Sequence, residues 1–156
     1  MIYLATKKQV QTTSRDAVTS YARKVVEHKI IAGPYVRDAC ARHLRDLKEA
    51  PERGFFFDLE KANRALGFFK DVLKLNGGQF EGVPYELLPW QAFIVGSLFG
   101  WVDAGGMRRF RIAYIETAKG SGKSPLAAGI GLYGLVADGE ARAEIYAAAT
   151  KKDQAM

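Results

Sequence analysis

The chain has 156 residues, 48% of them hydrophobic and 26% charged, with a formal net charge of +6 and a single cysteine, Cys40. That composition excludes a disordered polymer and a disulfide-stapled scaffold, and the longest apolar run, residues 126–137, is too short and too glycine-rich to span a bilayer. What remains is at most one ordinary globular domain with its own core, expected in a reducing, cytoplasmic setting because nothing at the N-terminus resembles a signal peptide.

The charge is uneven: residues 1–50 carry ten Lys/Arg against five Asp/Glu, and the remainder thirteen against twelve. A basic N-terminal third suits a nucleic-acid partner, and it suits a solvated helical surface equally well. Residues 1–13 show no sustained period and are expected to form a loose arm. From Ser14 the pattern turns helical, with Val18, Tyr21, Ala22, Val25 and Val26 on one face until Gly33-Pro34. A second helix should run from Tyr35 to about Glu49, with Val36, Cys40, His43, Leu44 and Leu47 on its stripe. His28 and His43 lie on separate helices with no cysteine pair or carboxylate cluster beside them, which fits ordinary helix residues better than metal ligands.

Residues 51–57 read as a connector ending in three aromatics, and Asp58 as the N-cap of a third helix with Leu59, Ala62, Leu66, Phe69, Val72 and Leu73 inward. Asn76-Gly77-Gly78 closes that helix. The phenylalanines around it could stack on bases, but their helical spacing favours core packing. Trp90-Gln91 opens a short helix with Phe93, Ile94 and Leu98 inward, and residues 103–106 (DAGG) form a turn of the hairpin kind. Residues 108–116 alternate as a strand, with Phe110, Ile112 and Tyr114 on one side and Arg109, Arg111 and Ala113 on the other. Asp138-Gly139 breaks the next helix, residues 143–149 (AEIYAAA) read as a buried parallel strand, and residues 150–156 as the first turn of a further helix.

Between that first strand and its helix lies TAKGSGKS, residues 117–124. A strand, a tight Gly/Ser loop and a helix opening on Gly-Lys-Ser form the order a phosphate-binding P-loop requires, although Thr117 stands where the usual pattern has its first glycine. Pro125 in the first helical turn loses nothing by lacking an N–H, and the next strand arrives at βαβ distance, so phosphate binding outweighs an accidental glycine-rich connection. On chemical grounds Lys123 would neutralise β/γ-phosphate charge, Ser124 would reach Mg²⁺ through its hydroxyl, and Gly120, Ser121 and Gly122 would offer backbone N–H groups. Lys119 is either a further cation for the γ-phosphate or an exposed loop lysine. Gln91 could serve the edge of adenine with a donor and an acceptor, or could simply open its helix.

Hydrolysis also needs an acidic residue at the end of a neighbouring strand. Asp138 and Glu140 end an apolar run, but they would sit at the far end of the loop's own helix, about 20 Å from the phosphates at ~1.5 Å per residue. They are rejected as metal ligands, and no other acidic strand exists in the sequence.

The order of these segments resembles the N-terminal part of tailed-phage terminase large subunits, the ATP-driven motors that package DNA. The resemblance runs from about Tyr21 to Ala155, through YARKVVEHKIIAGPYVRDACARHLRDL, GFFFDLEKANRALGFFKDVLKLNGGQFEG, LLPWQAFIVGSLFGW and the segment RRFRIAYIETAKGSGKSPLAAGIGLYGLVADGE, ending on AEIYAAATKKDQA. That family's loop often lacks the first glycine and begins with a basic residue. The resemblance therefore implies a nucleotide-binding loop of Thr117, Ala118, Lys119, Gly120, Ser121, Gly122, Lys123 and Ser124, with Lys123 and Lys119 as its catalytic cations. Lys119 stands where the family has arginine, whose forked contact lysine cannot make, and Gly120-Ser121 replaces Lys-Asn. Gln91 matches the adenine-side glutamine.

The implied cofactors are ATP and Mg²⁺. The implied partners are double-stranded DNA, portal protein and the small terminase subunit, with a homo-oligomer on the portal in the bacterial host cytoplasm and no membrane. The family's acidic strand and C-terminal nuclease domain would follow Met156, so the chain is expected to be a fragment with at most weak nucleotide binding and no meaningful hydrolysis. The expected fold is α/β: the arm at 1–13, a helical segment at 14–80, and at 81–156 the start of an incomplete P-loop NTPase parallel sheet. Two other readings are a helicase-like P-loop translocase and a non-enzymatic module whose basic helices hold DNA or a packaging partner.

Overall fold

Helix α4 (Pro89–Gly100) decides the arrangement, because its sequence PWQAFIVGSLFG is apolar on every side and must be covered all round. The computed structural model describes residues 16–148; the arm expected at 1–13, Ala149 and the helix start expected at 150–156 lie outside the described residues. On one side, Phe93 of α4 meets α1 (Ala17–Val26) and α2 (Pro34–Glu49) in a cluster with Val18, Tyr21, Val25 and Cys40. On the other, Val95 and Phe99 pack with α3 (Leu59–Asp71) and α5 (Lys123–Val136) around Phe69, Leu126 and Tyr133. Close approach depends on glycine at two places: a Cβ on Gly96 would lie 2.3 Å from a Val18 methyl, and one on Gly129 would lie 2.3 Å from the Phe69 ring.

Local signals set the helix starts. The Asp16 carboxylate accepts from the Thr19 N–H at 2.8 Å, and Asp58 caps α3 by accepting from the Lys61 N–H at 2.9 Å. The three aromatics read as the end of a connector form a strand, β1 (Phe55–Phe57), paired antiparallel with β2 (Trp101–Asp103) in the register Phe56 to Val102. Bulky aromatic residues favour extended backbone once a partner edge is present. The hairpin turn after β2 is held by Asp103, whose carboxylate accepts the N–H groups of Gly105 and Met107, each at 2.9 Å. The chain then returns along β2, and the Arg109 N–H donates to the Trp101 carbonyl at 2.9 Å.

A buried polar network ties these pieces together. The Trp101 indole N–H donates to His43 Nδ1 at 3.1 Å, so the imidazole proton sits on Nε2 and faces the Thr19 hydroxyl at 2.9 Å. Burial pushes the His43 pKa down to about 4, overriding the opposite pull of Asp16 and Asp46. Asp46, only 2% exposed, takes Arg53 at 2.6 Å and Arg109 at 2.8 Å.

The mixed helix-and-strand class with a helical N-terminal part is what the structure has, but the strands are not the parallel ones expected. Residues 110–118 run without a ladder partner among the described residues, leaving Ile112 90% and Tyr114 87% exposed. In the expected second strand, residues 143–148 form no ladder either, and Ile145 instead folds over α5 beside Gly131 and Gly134. The physical reason is that the hairpin turn commits the start of the first segment to an antiparallel edge, and pairing ends once the chain leaves β2 at Arg109. Val26, Val36 and Val72, expected inward, lie on the surface.

Two outcomes test this packing. Gly129→Ala should destabilise the fold by about 1–3 kcal/mol, read by urea or thermal unfolding, since the new methyl meets a fully buried ring. For His43 the folded pKa of about 4 lies below the ordinary 6.5, so between those values the unfolded chain binds more protons. Stability should therefore fall as pH drops from 6.5 toward 4, by up to about 3 kcal/mol, and His43→Gln should remove that slope from the urea midpoints.

Candidate functional site

The residues singled out in the sequence meet where the extended segment 110–118 turns into α5. Gly120 and Gly122 take left-handed backbone, φ +81° and +79°, a conformation that strains other residues and that lets the loop double back within a few positions. The turn is knit by Ser121: its hydroxyl contacts the Thr117 hydroxyl and donates to the Ala118 carbonyl at 2.7 Å. Lys123, the first residue of α5, folds back so that its ammonium donates to the Thr117 carbonyl at 2.7 Å. Thr117, Ala118, Ser121 and Lys123 thus form one closed loop, with Lys119 exposed at its outer turn and Ser124 exposed on the first turn of the helix.

The electrostatics follow from the helix start. Gly122 is the N-cap of α5 and has no side chain to satisfy the first N–H groups, and Pro125 contributes none. The N–H groups of Lys123 and Ser124 therefore open toward the loop, at the positive end of a 14-residue helix with a lysine ammonium beside them. Such an arrangement fits an anion with several oxygens, so these residues suit a nucleotide phosphate.

Gln91 comes into the same place. It is 3% exposed, and its amide nitrogen lies 3.3 Å from where a Cβ of Gly122 would stand. Its carbonyl oxygen accepts from the Leu88 N–H at 2.9 Å, one half of a capping box; Leu88 has no polar side chain to return the bond. The Tyr85 hydroxyl, missed in the sequence, is buried next to this amide. Burial raises its pKa and the Gln91 amide offsets part of the rise, without reaching hydrogen-bond geometry. No spacing rule could have found Tyr85, because it comes from the irregular stretch between α3 and α4.

The acidic groups lie elsewhere. Asp138 pairs with Arg108 at 3.3 Å at the far end of α5, and the Glu116 carboxylate accepts from the Tyr114 hydroxyl at 3.2 Å. Among the described residues, no group of three or more His, Cys, Asp and Glu side chains is placed to hold a metal ion. No helix there is long and apolar enough to cross a membrane.

Residues 89–156 match the family model described as the terminase large subunit, ATPase domain. No curated protein and no solved structure matches the chain. The matched span starts at the first residue of α4 and takes in Gln91, the loop and α5, while the resemblance drawn for residues 21–88 lies outside it. An ATPase family implies nucleotide binding, and the loop geometry suits it. From α4 onward, residues 89–156 are similar to the terminase large-subunit ATPase domain.

Proposed function

We propose that residues 117–124 bind the triphosphate of ATP with Mg²⁺, and that the chain serves a motor packaging double-stranded DNA. The observation that carries this is the uncapped N-terminus of α5 reached through two left-handed glycines, with the Lys123 ammonium already at the loop. Mg²⁺ would supply charge neutralisation on the phosphate oxygens. Lys123 would exchange its Thr117 carbonyl for β/γ-phosphate oxygens, a charge-assisted contact stronger than the one it leaves. The Ser124 hydroxyl would face the metal, and the N–H groups of Gly122, Lys123 and Ser124 would receive phosphate oxygens. Lys119, exposed at the outer turn, would approach the γ-phosphate.

For the DNA side of this reading, α2 offers Arg37, Arg45 and Lys48 along one exposed face, spaced eight and three residues apart. Helical spacing puts the three on one stripe, where they would contact phosphates without reading sequence. Portal protein, the small terminase subunit and further copies of the chain on the portal are the partners such a motor in a bacterial cytoplasm would take.

Two measurements test the reading. Mg–ATP at one hundredfold its Kd should stabilise the chain by about 2.7 kcal/mol in thermal unfolding, and Lys123→Ala should abolish the shift while leaving the ligand-free melting point in place. Replacing Arg37, Arg45 and Lys48 together by alanine should lower the slope of log K for duplex DNA against log salt by about 3 units. An unchanged slope would remove α2 from the DNA surface.

A further inference from the structure

Gln91 is buried to 3% exposure. The oxygen is spent on the Leu88 N–H at 2.9 Å, which fixes the start of α4. The nitrogen lies against Gly122, 3.3 Å from the place a Cβ would take, with the buried Tyr85 hydroxyl also beside the side chain. Gly122 is the residue whose left-handed backbone aims the first N–H groups of α5 at the loop. One side chain thus bridges the start of the most deeply buried helix and the residue that orients the loop's donors. We infer that Gln91 is a positioning residue for the phosphate loop, acting through Gly122, in addition to any contact with a nucleotide base.

The inference rests on the proposal that residues 117–124 hold phosphate, and it makes a distinct demand of the ligand. A residue that only reads the base contributes nothing to a ligand without one. A residue that holds the loop contributes equally to ATP and to inorganic tripolyphosphate, because both depend on the same oriented N–H groups. It also contributes before any ligand arrives, because Gly122 sits beside an amide whose oxygen is locked to the Leu88 N–H.

The full chain carrying Gln91→Met, which keeps the length of the side chain and removes its amide, is the variant to compare. Calorimetric titration with Mg–ATP and with Mg–tripolyphosphate should show both affinities falling by the same factor, about tenfold for a lost buried polar contact. Amide hydrogen exchange on the ligand-free chain should speed up across residues 117–124 while the amides of α3 and the second half of α4 stay protected. A loss for ATP with tripolyphosphate unchanged overturns the inference and leaves Gln91 as a base contact. Loop and α4 amides accelerating together also overturn it, since that is general loosening of the core. If the unaltered chain binds neither ligand, the phosphate-site proposal itself fails and this inference fails with it.

Discussion

A helix with no polar face can be stable only at the centre of something, and α4 is that helix. Phe93 needs α1 and α2 on one flank, while Val95 and Phe99 need α3 and α5 on the other, so two apolar clusters share one rod. The site inherits its position from this constraint. Gln91 belongs to the first turn of α4, and α5 can cover the opposite flank only by starting close to it, which sets the glycine loop of residues 117–124 against the end of the central helix.

Two adjacent arginines secure the outside of this arrangement by pointing in opposite directions. Arg109 reaches the buried Asp46 on α2 and lies over the rings of Phe55 and Trp101, 5.2 Å from each centroid. Arg108 turns the other way, to Asp138 beyond the end of α5. The peptide that leads into the loop is thereby tied to the helical N-terminal part through one side chain and to the loop's own helix through the next. A buried ion pair earns little net stability, but removing one partner strands a charge, so this junction holds its geometry more firmly than the energy of the pair suggests.

Much of this was legible in the sequence because it depends on local chemistry. Asp58 had to cap a helix, Asp103-Ala104-Gly105-Gly106 had to turn, and the spacing of Gly122, Lys123 and Ser124 marked the loop. What stayed hidden depends on partners distant along the chain. Phe55, Phe56 and Phe57 gave no alternation to mark a strand, and only the edge of Trp101–Asp103 makes them one. Residues 110–116 alternate as a strand should, yet periodicity records which faces a strand would have and not whether a neighbour lies alongside. The contact between Gln91 and Gly122 spans thirty-one positions, and only packing could disclose it.

The exposed segment after Arg109 carries a consequence for how the chain behaves in concentrated solution. Its backbone is extended and its side chains Ile112 and Tyr114 stand open, which is the profile of a template for adding strands from other copies. Yet the uncharged run is only residues 112–115, bracketed by Arg111 and Glu116. Stacked strands that zip into fibrils generally need six or seven such residues. The flanking charges act as gatekeepers, confining any self-pairing to a short, reversible patch.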